Sequence, residues 1–174
     1  MKTIIGIDPG KFGGIAILTG TLNQIYPMPL KDNQFDINTF LDILNPYYKD
    51  CGIVVEDVHA IFGASAKSTF NFGYICGQIN ASIITSLGEF IYIQPKVWQK
   101  EIWIEEDRIV IPKEQRYKNK IITVFKTDTK KTSFNACKRI FPLINVPTTP
   151  KSKVPHDGIV DALLLSEYGR RTYL

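Results

Sequence analysis

Four carboxylates stand where a folded sheet would bring them together. Asp8 follows the apolar run Ile4-Ile5-Gly6-Ile7 and precedes Pro9-Gly10, which puts it at the carboxyl end of a first strand. Glu56 closes Gly52-Ile53-Val54-Val55, a β-branched run of the kind buried on both faces of a sheet. Asp157 and Asp161 are four apart at the start of a C-terminal helix, so both project from one of its faces. Carboxylates gathered in this way repel by several kcal/mol at ~4 Å unless something positive neutralises them. Mg²⁺ is the natural counter-charge, being hard and oxygen-loving, and Mn²⁺ can substitute for it. Two such ions about 3.5–4 Å apart would clamp the attacking and leaving oxygens of an in-line phosphoryl displacement.

Each acid also has a plainer role open to it. Asp before Pro-Gly is a common turn former. Glu56 could be a surface carboxylate at a strand end. Asp157 could simply cap its helix. Asp161 is harder to set aside, because Ile159, Val160, Ala162, Leu163 and Leu164 around it are apolar and an unpaired acid there is costly. The four together, in this order, are more specific than any one of them.

The elements that must position these residues are legible in part. Residues 4–7, 13–18 and 21–28 read as three strands with short connections, an antiparallel meander. A helix is expected over 35–44, with Asp36 as N-cap and Pro46 beyond it. The strand before Glu56 is followed by a long helix over 65–87, closed by Gly88. Gly73, Gly77 and Ala81 recur every fourth residue of that helix, a stripe that lets another backbone approach closely. The stripe either meets a second copy of the chain or packs on the protein's own sheet. Residues 90–93 form the next strand. Residues 108–111 and 121–125 read as two strands of a hairpin arm, with a helix over 113–126 as the alternative. A short basic helix over 132–141 and a last helix from 156 to about 170 complete a mixed α/β sheet covered on both faces, in one domain spanning 1–174.

Composition bounds the function classes. With 44% hydrophobic and 22% charged residues the chain is an ordinary globular one, and no run of ~18 apolar residues spans a bilayer. No leader-like segment precedes the first strand, so the expected location is inside a cell or organelle. Cys51, Cys76 and Cys137 are scattered without metal-ligand spacing and read as reduced thiols. The +4 net charge is mild, but basic residues crowd 95–153, including Lys96, Lys100, Lys113, Arg116, Lys118, Lys120, Lys126, Lys130, Lys131, Lys138, Arg139, Lys151 and Lys153. That density is either a solvated face or a nucleic-acid surface, and the carboxylates favour the second.

Ile4 to Gly10 followed by Gly13-Gly14-Ile15-Ala16, Val54-Val55-Glu56-Asp57-Val58, and Pro155-His156-Asp157-Gly158-Ile159-Val160-Asp161-Ala162-Leu163-Leu164 resemble the three acidic motifs of RuvC-type Holliday junction resolvases. The last motif, with Gln94-Pro95-Lys96-Val97-Trp98 and Asp128-Thr129-Lys130-Lys131-Thr132-Ser133, is similar to the phage and plastid branch. The resemblance covers nearly the whole chain. It implies an RNase H-like fold and a homodimeric, Mg²⁺-dependent endonuclease that nicks opposed strands of a four-way DNA junction. Asp8, Glu56, Asp157 and Asp161 would be both the catalytic residues and the metal ligands. Bacterial members commonly space the last two site residues more closely, whereas here they are four apart with Gly158 between them. Some relatives use histidine in this motif, so His156 is an alternative to Asp157 as the third ligand; its plainer role is a surface histidine at the helix start. The family's junction-opening aromatic points to the neighbourhood of His59, Phe62, Phe70 and Phe72. Since Phe70 and Phe72 are two apart on a helix, they cannot both face the core.

Three other classes compete. Sugar-kinase and actin-like ATPases also place Asp-x-Gly after a strand, but need two such domains, and 174 residues hold one. A catalytically inert junction-binding protein has no need of all four acids. An RNase H-like nuclease acting on other branched DNA or RNA–DNA hybrid would share every feature named, because substrate choice lives in the site rather than the fold.

Overall fold

A computed structural model of the chain describes residues 3–20, 22–47, 51–59, 63–86, 90–117, 120–149 and 153–173. At its centre β1 (Thr3–Asp8) pairs antiparallel with β2 (Gly14–Leu18), and β2 pairs antiparallel with β3 (Asn23–Pro27), the expected meander. A small hairpin, β4 (Leu30–Lys31) and β5 (Gln34–Phe35), comes next and was not expected. Asp32 and Asn33 turn it at φ 50° and 68°, a left-handed pair that these two residue types tolerate. Then α1 (Ile37–Leu44) starts at Asp36, whose carboxylate accepts from the Thr39 N–H at 3.2 Å.

The chain re-enters the sheet as β6 (Cys51–Glu56), parallel to β1. After α2 (Ala66–Ser86) it returns as β7 (Ile91–Ile93), parallel to β6. The strand order is β3-β2-β1-β6-β7. Next comes α3 (Pro95–Ile102), an unexpected helix with proline in its first turn, where a missing N–H costs nothing. The segment 98–130 resolves in favour of the hairpin: β8 (Val110–Tyr117) and β9 (Lys120–Thr127) form a two-stranded sheet of their own. Finally α4 (Thr129–Ile140) is capped by Asp128, and α5 (Asp157–Tyr173) closes the described chain. Gly88, Lys118 and Lys151, to which the sequence assigned roles, lie outside the described residues. No helix among the described residues is long and apolar enough to cross a membrane.

Strand parity divides the core into two layers. Ile5, Ile7, Ile15, Ile17, Ile53 and Val55 face α1 and α2, where Phe40, Leu44, Ile75, Ile79 and Ile83 complete a cluster. Ala16, Leu18 and Val54 face the other way, onto Trp98, Ala136, Ile159 and Leu163 of α3, α4 and α5. By the same parity the positions of Asp8 and Glu56 share the side of α5.

On that side the backbones almost touch. A Cβ at Gly6 would lie 2.2 Å from the Ala162 carbonyl oxygen, one at Gly14 2.5 Å from that of Gly158, and one at Gly158 2.4 Å from that of Phe12. Glycine at these three positions is a condition of the packing. The stripe on α2 behaves oppositely. Among the described residues, nothing lies within 4 Å of a Cβ built at Gly73 or Gly77, and both, with Ala81, are exposed. The reading in which the stripe packs on the protein's own sheet is thereby excluded; the inward face of α2 is Ile75, Ile79, Ser82 and Ile83.

Gly158→Ala should therefore push α5 off the sheet and cost about 1–3 kcal/mol or more, read as a lower urea midpoint. An unchanged midpoint would show that the contact has slack.

Candidate active site

Asp8 leaves β1 into a turn that doubles back to β2, closed by the Gly13 N–H donating to the Gly10 carbonyl at 3.0 Å. Gly10 holds φ 119°, a conformation that side chains other than hydrogen rarely adopt. Glu56 ends the neighbouring strand, and register sets Ile7 beside Val55, so the two acids come off adjacent strand ends. Asp157 and Asp161 approach from above on the first turns of α5, held there by the glycine contacts and by a parallel bridge between Gly13 and Gly158.

Each carboxylate has a defined neighbour. Glu56 is buried and accepts from the indole Nε1–H of Trp98 at 2.9 Å. Asp8 stands close enough to Glu56 that each carboxyl acts on the other. Asp161 lies beside buried Ser133 of α4, the two lining one small cavity. Asp157 pairs with the Lys130 ammonium of the same helix. In the sequence Trp98 and Ser133 figure only within motifs, and Lys130 there and among the basic residues; none of them is placed beside the acids. A buried tryptophan N–H needs an acceptor, which is a usable signal for Trp98; the other two depend on tertiary placement.

The electrostatics follow from burial and crowding. Burial first, then the charges of Asp161 and Glu56, hold the Asp8 carboxyl well above the usual carboxylate range. Burial raises Glu56 too, against the opposing influence of the Trp98 hydrogen bond and of Asp8. Asp161 is pushed up to about 7, by burial and next by the charge of Glu56. Asp157 goes the other way: burial would raise it, but the hydrogen bond and charge of Lys130 outweigh that and hold it low. All four sequence-nominated acids thus feel one another. Asp157 is among the charges acting on Asp8 and Asp161; His156 acts on Asp157, and its Nδ1 accepts from the Ile159 N–H at 3.4 Å as part of the helix start.

Among the described residues, no three His, Cys, Asp or Glu side chains stand close enough to hold a metal ion as they are placed. Their chemistry nevertheless fits a hard divalent cation, since the donors are oxygens, mutually repelling, with Lys130 the one cation acting on Asp161 and Asp157 alike. Asp8 borders a cleft of about 450 Å³ between the β1–β2 turn and α2, walled by Lys11, Phe12, Ser68 and Phe72. Asp157 and Asp161 line a smaller cavity of about 80 Å³ beside Lys130 and Ser133. The aromatic candidates separate as their spacing requires. Phe72 leans over Gly10 at the cleft, whereas Phe70 is 72% exposed and stacks on Tyr74. His59 is exposed beside Asp57, and Phe62 lies outside the described residues.

A carboxyl raised on folding contributes stability that is fully present below its ordinary pKa and lost as pH rises through the folded value. For Asp161 that window runs from about 4 to about 7, and Asp8 has the same sign. In EDTA, Asp161→Asn should melt about 3–8 °C above wild type at pH ~8, a gap that narrows toward pH ~4. A variant less stable than wild type at both pH values would mean that the carboxylate supports the fold.

No protein-family profile matches the chain, and neither does any curated protein. Solved structures do. RuvC of Thermus thermophilus in complex with Holliday junction substrate superposes with TM-score 0.56 at 12% identity, over 97% of this chain and 95% of that one. A second Thermus thermophilus RuvC structure gives 0.54 at 13% identity, over 98% and 96%. The chain therefore has the RNase H-like fold of RuvC: a mixed five-stranded sheet flanked by helices.

Proposed function

We propose that this protein is a metal-dependent, structure-selective endonuclease that hydrolyses DNA phosphodiesters at four-way junctions, a Holliday junction resolvase. The observation that carries the reading is the convergence of Asp8, Glu56, Asp157 and Asp161 from two strand ends and one helix, in a RuvC-like fold. The likeness to RuvC supports the fold; the substrate, and the phage and plastid branch in particular, rest on the motif spelling.

In this reading the four acids would hold Mg²⁺, two ions in all, which when bound supplies charge neutralisation and an activated water for attack on phosphorus. The chain's own residues set up that site. Trp98 fixes the carboxylate of Glu56 by its indole N–H, and Ser133 stands beside Asp161. Lys130 sets a cation at the edge of the cluster, where it balances Asp157 and faces an incoming phosphate. Asp157 is the better candidate than His156 for the third ligand, since its charge acts on Asp8 and Asp161.

A second copy of the chain is the proposed partner, because a four-way junction offers two equivalent strands to two identical sites. Its seat is the outer face of α2, where Phe70, Gly73, Tyr74, Gly77, Ala81 and Ile84 form an exposed stripe at helical spacing. Small residues there allow two helices to approach closely.

Incubation with a synthetic four-way junction, a fork and an RNA–DNA hybrid should yield paired nicks in the junction with Mg²⁺ or Mn²⁺. Ca²⁺ should support binding with little cutting, and EDTA should abolish cutting. Asp8→Asn and Asp161→Asn should each lower cleavage by about 10³-fold or more yet keep junction affinity, which comes mainly from Lys and Arg on phosphate. Full activity in EDTA would sink the metal reading, and preference for the hybrid would reassign the substrate. Gly77→Leu should remain folded by circular dichroism, run as a monomer in light scattering and lose paired nicking. A wild type that stays monomeric on the junction would rule out the dimer.

A further inference from the structure

The net charge of this chain sits in one element. The sequence from Val110 to Thr127, whose described parts are β8 and β9, has Lys113, Arg116, Lys118, Lys120 and Lys126 against a single acid, Glu114, a net +4. The whole chain has 21 basic and 17 acidic residues, so everything outside the hairpin holds sixteen of each and is neutral.

The hairpin is also separate from the body. It forms its own sheet, and its described side chains are exposed except for half-buried Val124 and Thr127. Phe125 and Ile121 are 74% and 72% exposed. An isolated two-stranded hairpin is marginal in water, so its hold on the body matters. That hold is at its base. The Asp128 N–H donates to the Ile109 carbonyl at 2.7 Å, and the Ile109 N–H donates to Thr132 Oγ1 at 3.1 Å. Both bonds tie it to the first turn of α4, the helix whose Lys130 reaches Asp157. The ribbon thus springs from beside the carboxylates.

We propose that β8–β9 is a DNA-binding ribbon that lies in a groove of the duplex next to the candidate active site. This rests on the nuclease reading and adds to it the element that supplies affinity. Charge complementarity identifies the occupant, since the most highly charged partner for a solitary +4 ribbon on a neutral body is a phosphate backbone. Shape agrees, because the major groove of B-DNA admits a two-stranded β-ribbon. Register places Lys113, Lys120 and Lys126 on one face of the ribbon and Arg116, with Glu114, Phe125 and Ile121, on the other, so cations on both faces can meet the two phosphate backbones that flank a groove. Pro112 and the charged residues along the strands discourage edge pairing with another chain.

Fluorescence anisotropy with a labelled four-way junction and a linear duplex, in Ca²⁺ to suppress cutting, tests this over ~50 to ~300 mM salt. The triple variant Lys113→Gln/Arg116→Gln/Lys126→Gln changes exposed positions and should melt as wild type does. It should bind both DNAs about 100-fold more weakly at ~0.15 M salt, with a log–log salt slope shallower by about 3. Wild type that binds DNA, with the triple variant equal to it in affinity and slope, would overturn the ribbon while leaving the nuclease reading in place. Wild type that binds neither DNA would overturn both. Phe125→Ser that lowers the mass in light scattering without changing DNA affinity would assign the ribbon to a second copy of the chain, and so would also overturn it.

Discussion

The structure turns on the contact of α5 with the β1–β2 hairpin through Gly6, Gly14 and Gly158. Three places where a single methyl group would lie about as close to a backbone atom as a covalent partner two bonds away bring a helix down onto a sheet. Ordinary helix-on-sheet packing is spaced by side chains, and the acids at the head of such a helix would then stand several ångströms farther from the strand ends. Here the head of α5 even forms a strand-like bridge to Gly13. The glycine between Asp157 and Asp161 is thus explained by geometry: it makes room for the Phe12 carbonyl, which fixes the turn that starts at Asp8.

That closeness has an electrostatic consequence. Asp8, Glu56 and Asp161 are each held above their ordinary values, and of the four acids Asp157 is the one held below its own, by Lys130. The body invests its best packing, with Ile5, Ile7, Ile15, Ile17, Val54 and Val55 buried around the strand ends, in keeping like charges together. Such strain is a common mark of functional sites, where a group's neighbours are chosen for chemistry over stability. Ion-pair networks that serve the fold look different here. Asp107 is buried yet paired in two bonds with Arg139, at 3.0 and 2.7 Å, and its carboxyl is held low despite the burial.

Much of this was legible in the sequence because the signals were local. The β-branched run before Glu56 pointed to a buried strand, Asp36 to a helix start, and two strand-like runs flanking a charged loop to the ribbon. The β4–β5 hairpin was equally local and was missed: Asp32-Asn33 is a left-handed turn signal, but the strands beside it are two residues each, too short for periodicity to register. The α3 helix was missed for a related reason, since eight residues with Trp98 and Ile102 inward offer barely two turns of pattern. The supports of the acids were illegible in principle. Nothing near Ser133 or Lys130 in the chain says that α4 will lie against α5, and the direction of the α2 glycine stripe depended on which face the sheet would claim.

The distribution of charge then poses its own problem. A site built from four acids, with Lys130 already paired to Asp157, repels the polyanion on which it is proposed to act, and a body of no net charge does little to offset that. Spreading the missing cations around the cluster would relieve the repulsion, but they would pair with the acids, as Lys130 does with Asp157, and compete with any metal for the same oxygens. Placing them on a ribbon tied to the first turn of α4 separates the two tasks. The ribbon's charges stay in water and attract DNA over about a Debye length, roughly 8 Å at physiological salt, while the acids remain available to a divalent cation. The division also explains why an exposed two-stranded sheet is worth its marginal stability: its value lies in reach, and the packed body beneath it supplies the stability it lacks.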